Sequence, residues 1–519
     1  MGGVKNMPEK INLDALIPRE DLAMSETNTR GRRKDSVSSV DLQVNEFFFL
    51  NINKPDFQRE TTEWDYIKVA NFISSFLSNE LIPAVILWQS TGGNIFVIDG
   101  AHRLSALIAW INNDYGDGII SRKVYNGNIP DEQMQIADKA RKYIEKKIGS
   151  YQTFKDALQN TNLYKDETVK IARLLSSAAI QLQWVEGDVS SAERSFFNIN
   201  QQAAPINKTE LKLIESRKKA TCIAARAIMR SGLGHKYWAY FPEENQRQIE
   251  TISNEIYNIM FLPKLQTPIK TLDIPMCGKH NHNALPIIFE VVKICNSNCS
   301  SNEDDLDGSL TVSHLKQTRK IVRILNSNHA SSLGLHPIIY FYAKNGSFRV
   351  SAFYAFVLFV MELDQKRKKD LFIRNRKNFE KIFYDNSDAV QILARRKRSA
   401  KNGMTVVKEF LFEILNSLEK GIEKDEVMDI IRAKKDYECL PKSIVLEENE
   451  SEVDFNASQK SEIFIMNSIK TSHKCAICGG FLHKNSISID HIERKQDGGI
   501  ATLNNGQLSH PYCNTGYKN

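Results

Sequence analysis

A chain of 519 residues is too long for one ordinary core, so two to four domains are expected. Its composition, 42% hydrophobic and 25% charged, is that of a soluble globular protein, and no stretch reaches the length of a membrane span. The formal charge of +7 is mild for this length; it permits nucleic-acid binding without demanding it, so local clustering of charge carries more information.

The N-terminus, MGGVKNMPEK, has no apolar signal core. Three of the eight cysteines lie in one C-terminal cluster, which points to zinc in a reducing compartment rather than to disulfides. A cytoplasmic location is therefore expected. Residues 1–40 are mostly polar, and the run ETNTRGRRKDSVSS has no periodicity. A flexible tail is expected there, with Arg30, Arg32, Arg33 and Lys34 as candidate phosphate contacts.

Residues 41–210 carry an α/β pattern. Phe57-Gln58-Arg59 precedes a helix that begins near Trp64, with Ile67, Ala70, Ile73, Phe76 and Leu77 at helical spacing. Strands follow at 84–88 and 95–98, separated by Gly92-Gly93. The second runs straight into Asp99-Gly100-Ala101-His102-Arg103 and a helix whose apolar face is Leu104, Leu107, Ile108 and Ile111. A helix N-terminus offers free backbone N–H groups and a partial positive charge. Gly100 allows close approach of the backbone, and His102 and Arg103 add donors suited to phosphate. Asp99 is a candidate cap or a partner for a ligand hydroxyl. The bland alternative is ordinary capping, with Arg103 paired to a carboxylate.

The segments FQRE, IDGAHRLSAL and FFNINQQAAPINKTEL together resemble the ParB/sulfiredoxin-like superfamily. They come closest to the Asp-Gly-Gln-His-Arg branch found in bacterial restriction and modification factors. The resemblance implies a nucleotide-handling or DNA-sensing pocket at Gln58, Arg59, Asp99, Gly100, His102 and Arg103, with a nucleoside triphosphate as candidate ligand. Ala101 stands where the sulfiredoxin branch has its reactive Cys, so sulfiredoxin chemistry is excluded.

Residues 211–440 read as mostly helical, including a helix over 211–230 and a buried helix at SAFYAFVLFVME. Residues 335–342 fit either a short strand or a helix start. Cys277, His280, His282, Cys295 and Cys299 form a loose cluster in which a second zinc site is conceivable, but the spacing is irregular, and buried thiols with surface histidines are the better reading. Basic residues concentrate at Lys366, Arg367, Lys368 and Lys369, continue through Arg374, Arg376, Lys377 and Lys381, and end at Arg395, Arg396, Lys397 and Arg398. Phe372, Phe379, Phe383 and Tyr384 are interleaved with them. This is the candidate DNA-backbone surface; the competing reading is a solvated helical face with its aromatics in the core. Residues 441–465 form an acidic, low-complexity stretch, expected to be a flexible linker that carries a short helix over 461–470 toward the last module.

That module, residues 466–519, opens with Cys475 and Cys478 and closes with His510 and Cys513. Two such pairs on facing turns can surround one tetrahedral Zn²⁺, and a segment this short needs such a staple. Ser486-Ile487-Ser488-Ile489 alternates as a half-buried strand does and delivers Asp490-His491. Asp497-Gly498-Gly499 marks a turn, and Asn505 and Asn514 follow. These residues resemble the HNH nuclease family with its ββα-metal fold. The resemblance implies that His491 activates water, that Asp490 and Asn514 hold one catalytic Mg²⁺ or Mn²⁺, and that Asn505 orients His491 through the backbone. Two positions depart from the pattern: Asn514 stands where the family name has its last His, and His510 stands where a Cys is commoner.

The expectation is a multidomain α+β protein. It has a ParB-like α/β N-terminal domain, a mostly helical middle domain and a small zinc-stapled HNH domain. The expected function is a metal-dependent DNA endonuclease under the control of a nucleotide- or modification-sensing domain, in bacterial restriction or anti-phage defence. Partners are DNA and a nucleotide, with no membrane. A homo-oligomer would answer the need of a single-site cutter for two copies at a double-strand break. The rivals are a DNA-binding regulator whose zinc module is inactive, for which Asn514 is the argument, and a nucleotidase that controls a partner.

Overall fold

The computed structural model describes residues 9–20, 32–55, 58, 61–125, 127, 129–203, 216–233, 236–280, 284–298, 303–396, 400–441 and 454–518. The chain divides into two compact units, one of residues 1–217 with 233–237, the other of residues 218–232 with 238–519. The whole is a helix-rich mixture of α and β structure.

In the first unit the apolar runs become a mixed six-stranded sheet. Its strands are β1 (Arg19–Glu20), β2 (Ser36–Ser38), β3 (Ile52–Pro55), β4 (Val85–Gln89), β5 (Ile95–Asp99) and β6 (Ala179–Val185), in the order β1-β3-β5-β4-β6-β2. β4 and β5 form the antiparallel hairpin that Gly92-Gly93 announces, with Trp88 opposite Phe96. β3 lies parallel to β5, and β6 parallel to β4. Helix α1 (Tyr66–Leu77) buries Val69, Ala70, Ile73, Phe76 and Leu77, one face at helical spacing, and Asp65 caps it by accepting from the Lys68 N–H. Helix α2 (Ala101–Ile111) starts directly from the end of β5 and is buried from Leu104 to Ile111.

The N-terminal segment departs from the expected tail. Ile11, Leu13, Leu16 and Ile17 are core residues, and β1 extends the sheet beside β3. Burying each such aliphatic contributes roughly 1.5–3 kcal/mol, enough to hold a short segment down. Asp14 fixes it from within: the buried carboxylate accepts from Arg19, from Lys54 Nζ at 2.8 Å and from the Thr61 N–H at 3.0 Å. Residues 32–40 are also structured, with β2 antiparallel to β6, Arg33 paired with Glu186 and Lys34 with Asp41. Arg30 lies outside the described residues, as do Phe57, Arg59 and residues 204–215, which carry the whole INKTEL segment.

The second unit is built of helices, with the C-terminal module packed among them. Helix α3 (Val350–Gln365) is the apolar stretch SAFYAFVLFVME, and it sits at the centre of an aromatic core. Phe359 meets Phe372 and Phe379 of helix α4 (Lys369–Asp385) at 5.8 Å each, and Phe412 of helix α5 (Ala400–Glu419) at 4.7 Å. Residues 337–340 resolve as a helical turn, with Pro337 in the first position that tolerates it. The helix expected over 211–230 is observed from Ala220 to Met229, and residues 211–215 lie outside the described residues.

Of the expected 441–465 linker, residues 442–453 lie outside the described residues. The short helix expected over 461–470 is observed from Ala457 to Ser468. Helix α6 (Ala457–Ser468) begins with a capping box between Asn456 and Gln459, and its Ser461 hydroxyl accepts from the Ile269 N–H at 3.0 Å. Among the described residues no helix is long and apolar enough to cross a membrane.

Candidate functional site

Two strands present the candidate residues of the C-terminal module. β7 (Ser488–His491) pairs antiparallel with β8 (Gly506–Ser509), setting Asp490 opposite Gln507 and His491 opposite Gly506. Alternation along β7 buries Asp490, which is 4% exposed, and leaves Ile489 facing outward. The Gln507 amide donates to Asp490 Oδ2 at 2.7 Å, and the Lys518 ammonium meets the same oxygen at 2.7 Å. Lys518 also donates to the His491 carbonyl. His491, at the end of the strand, is half-buried.

Asn505 braces the loop that leaves His491. Its side chain accepts from the Glu493 N–H at 2.8 Å and donates to the carbonyls of Glu493 at 3.2 Å and Ile500 at 2.9 Å. Its own carbonyl accepts from the Ile492 N–H at 2.9 Å. Asn514 lies on the helical turn that closes the module. Its amide nitrogen donates to Ser488 Oγ at 2.8 Å and to the Ile489 carbonyl at 3.1 Å, which brings the side chain to the strand that presents Asp490. A carboxylate and an amide oxygen on one edge are hard donors of the kind that suit Mg²⁺ or Mn²⁺.

The four staple residues converge. The ligand atoms of Cys475, Cys478, His510 and Cys513 all lie within 4.8 Å of one another, and all four residues are buried. In a tetrahedral zinc site, sulfur and nitrogen ligands stand about 3.6 Å apart. Here His510 Nδ1 is 3.4 Å from Cys478 Sγ and 3.9 Å from Cys513 Sγ. His510 Nε2 donates to the Phe481 carbonyl at 3.0 Å, which fixes the tautomer with Nδ1 toward the sulfurs. Burial, assisted by the Arg376 guanidinium, lowers the imidazole pKa, and the neutral form is the one that ligates. The residues present therefore fit a zinc ion. The other cysteine–histidine group does not form a site among the described residues: Cys277 and Cys295 are buried with raised thiol pKa values, and His280 bonds the Met229 carbonyl. His282 and Cys299 lie outside the described residues.

The first unit holds a cavity of about 420 Å³ at the junction of β5 and α2. Gln58, Asp99, Gly100, His102 and Arg103 all line it, together with Thr61, Trp64 and Phe72. Gly100 is required where it stands. Its φ is +98°, and a Cβ there would lie 2.9 Å from a Val85 methyl. Gly100 is itself the N-cap, so Asp99 does not cap the helix. The Asp99 carboxylate instead pairs with Arg103, whose other nitrogen donates to the Pro83 carbonyl at 2.7 Å. His102 stacks on Trp64 with ring centroids 5.7 Å apart. Gln58 is 8% exposed, and its Oε1 has no hydrogen-bond partner among the described residues, so the cavity wall holds a buried acceptor.

The expected DNA surface is divided by the structure. Lys366 pairs with Glu362, and Lys369 pairs with Asp364 while lying 4.9 Å over the ring of Tyr512 in the C-terminal module. Arg367, Lys368 and Arg395 reach the surface, and Arg396 donates to the Asp436 carbonyl. Lys397 and Arg398 lie outside the described residues. Arg376 is no surface residue: it is 0% exposed, and it pairs with Glu380 at 2.8 Å. Phe372, Phe379 and Phe383 are buried with it, as the competing reading holds.

Several site residues escaped the sequence reading. Gln507 reaches Asp490 only through the hairpin register, and Lys518 reaches it through the closing turn. Trp64 was read only as the start of a helix, although an aromatic beside a polar motif is a usable signal for a stacking wall.

Residues 42–215 match the family of the GmrSD restriction endonuclease N-terminal domain, and residues 475–519 match the HNH endonuclease family. The N-terminal match is to the restriction-factor side of the expectation, the GmrSD family. No curated protein and no solved structure matches the chain. Together the two family matches support a restriction-type HNH nuclease with DNA as its substrate.

Proposed function

We propose that the protein hydrolyses DNA phosphodiester bonds at Asp490-His491, and that the cavity at Gly100 senses a nucleotide or a DNA modification and controls that cut. The observation that carries the reading is the convergence at the end of β7. Asp490 is held by Gln507, Asn514 is anchored on the same strand, and Asn505 braces the backbone just past His491.

In this reading His491 takes a proton from the attacking water, since a neutral imidazole is a competent base near pH 7. Asn505 keeps His491 in position through Ile492 and Glu493. Asp490 and Asn514 would hold a divalent ion, which supplies charge to offset the leaving oxygen. Cys475, Cys478, His510 and Cys513 hold a structural zinc ion. Arg367 and Lys368, with Arg395 to Arg398, contact the DNA backbone, and the seat of Lys369 on Tyr512 supports this by bringing that basic segment to the nuclease module.

In the cavity, Arg103 and the N–H groups of the first turn of α2 face a phosphate, and Gln58 Oε1, which has no partner among the described residues, takes a donor from the ligand. The ParB-like chemistry of Arg59, Asp99 and His102, a turnover of the nucleotide, a place in anti-phage defence, a cytoplasmic setting and pairing of two copies for a double-strand break complete the reading.

One observation favours the DNA-clamp rival. The Lys518 ammonium lies against Asp490 Oδ2, where a cation is wanted. Plasmid assays separate the readings. Purified protein is incubated with unmodified and phage-modified DNA, with and without nucleoside triphosphates. Relaxed or linear product that depends on modification or nucleotide, and loses that dependence in Arg103→Ala, supports the controlled nuclease. Zinc-loaded, folded protein that binds DNA and never breaks it supports the clamp. Nucleotide turnover without strand breaks supports the nucleotidase.

A further inference from the structure

Arg376 is a fully buried cation in the middle of the second unit, and the proposed reaction makes no use of it. Three thiolates, a neutral imidazole and Zn²⁺ sum to one net negative charge. The residues that would carry this charge are buried, with Cys513 and His510 at 0% exposure. A buried charge is costly unless a counter-charge and hydrogen bonds surround it. Arg376 is the cation on the spot, shared between this site and the buried Glu380 carboxylate that it also pairs with. Its Nη1 lies 3.3 Å from His510 Nδ1, and its Nη2 donates to the Gly334 carbonyl at 2.8 Å.

The contact belongs to a closed circuit. Arg376 Nε donates to Glu380 Oε1 at 2.8 Å. The other oxygen of Glu380 accepts from the Phe481 N–H at 2.9 Å. The Phe481 carbonyl accepts from His510 Nε2 at 3.0 Å, which returns the circuit to the metal-binding ring. Two glycines make the approach possible. A Cβ on Gly480 would stand 2.3 Å from Arg376 Nε, and one on Gly334 would stand 2.4 Å from His510 Cδ2.

We propose that Arg376 is a positioning residue of the zinc centre: it compensates the charge of the Cys₃His site and, through Glu380 and Phe481, makes α4 part of that site, so that the nuclease module folds on the helical unit. The proposal rests on the reading that these four residues hold zinc.

The test uses the full chain with zinc alone and then cobalt as the probe, comparing wild type with Arg376→Met and Arg376→Lys. Arg376→Met weakens zinc binding between about 10-fold and about 100-fold and shifts the thiolate-to-cobalt absorption, while helical circular dichroism is kept. Arg376→Lys recovers part of the affinity, because it keeps the charge and loses the fork. A folded Arg376→Met with wild-type zinc affinity and cobalt spectrum overturns the proposal. Should Arg376→Met fail to fold, hydrogen exchange on wild type decides: removing zinc must deprotect α4 and the Leu333-Gly334 backbone, and unchanged protection there overturns the proposal. A wild-type protein that takes up no zinc overturns the zinc reading itself, and the Arg376 proposal with it.

Discussion

At the residue scale, two small residues set the limits of the two sites. Gly100 occupies the left-handed region at φ +98°, with a Val85 methyl where a Cβ would go. Gly100→Ala is expected to cost about 1–3 kcal/mol and to distort the cavity, read as a lower midpoint of thermal unfolding. An unchanged midpoint would show that the turn tolerates a side chain. Asn505 joins residues 492, 493 and 500 by four hydrogen bonds, two of them donated by its side chain. Asn505→Ala should lower the cleavage rate about 100-fold through a misplaced His491, with zinc content unchanged. Equal rates would remove Asn505 from the account.

The residue scale is also where the sequence was most informative in one place and least in another. Cys475, Cys478, His510 and Cys513 were legible because zinc demands donor types at fixed spacing, and the structure brings them together. The sequence places Arg376 among surface cations because seven other basic residues crowd positions 366–381. A signal against that reading was present. Phe372, Arg376, Phe379 and Phe383 recur at helical spacing, so the arginine shares the face of three core aromatics.

At the element scale, β7 and the β4–β5 hairpin were readable from alternation and from Gly-Gly turns, because a strand shows its buried face as a period of two. The pairing of β7 with β8 was not, since register depends on a partner many residues away, and with it went the Gln507–Asp490 contact. The N-terminal strand β1 was hidden by length: two residues show no period, although Ile11, Leu13, Leu16 and Ile17 marked the segment as apolar.

Where elements of the second unit meet, two histidines are buried close together. His336 caps the turn at 337–340, and its ring lies 5.4 Å from that of His483. Burial, then the neighbouring His483, Arg376 and His510 charges, holds the His336 pKa well below its ordinary value. Burial lowers His483 to about 4, against an opposing pull from Asp273. A depressed histidine pKa means that the unfolded chain takes up the proton first as pH falls. The stability is therefore complete above the unfolded pKa of about 6.5 and declines as pH drops toward the folded value of about 4. The melting temperature of the second unit should fall by several degrees between about pH 7.5 and about pH 5. A melting temperature constant over that window would contradict the burial of these rings as neutral groups.

At the scale of the whole molecule, the sequence suggested a cutter on a tether, and the structure gives a cutter built into a helical unit. Acidic, low-complexity composition before the module was read as a linker. The module is docked by Arg376 against His510, Glu380 against Phe481 and the Ser332 hydroxyl against that of Ser486, pairs 134, 101 and 154 residues apart, where no local pattern could announce them. A consequence follows for metal removal. Stripping zinc from the full chain should lower the unfolding temperature of the helical unit along with that of the module, because the same contacts hold both. Helical melting that ignores a chelator would restore the picture of an independent module.

The central claim is that Asp490-His491 cuts DNA. The most direct test is nicking of supercoiled plasmid in Mg²⁺ or Mn²⁺ by wild type and His491→Ala, with zinc content and circular dichroism measured on both. Relaxed plasmid is expected from wild type only, abolished by chelating the divalent ion, with at least about 100-fold less product from a His491→Ala protein that is folded and zinc-loaded. Equal nicking by both proteins, or none by a folded and zinc-loaded wild type under any of these conditions, would contradict the claim.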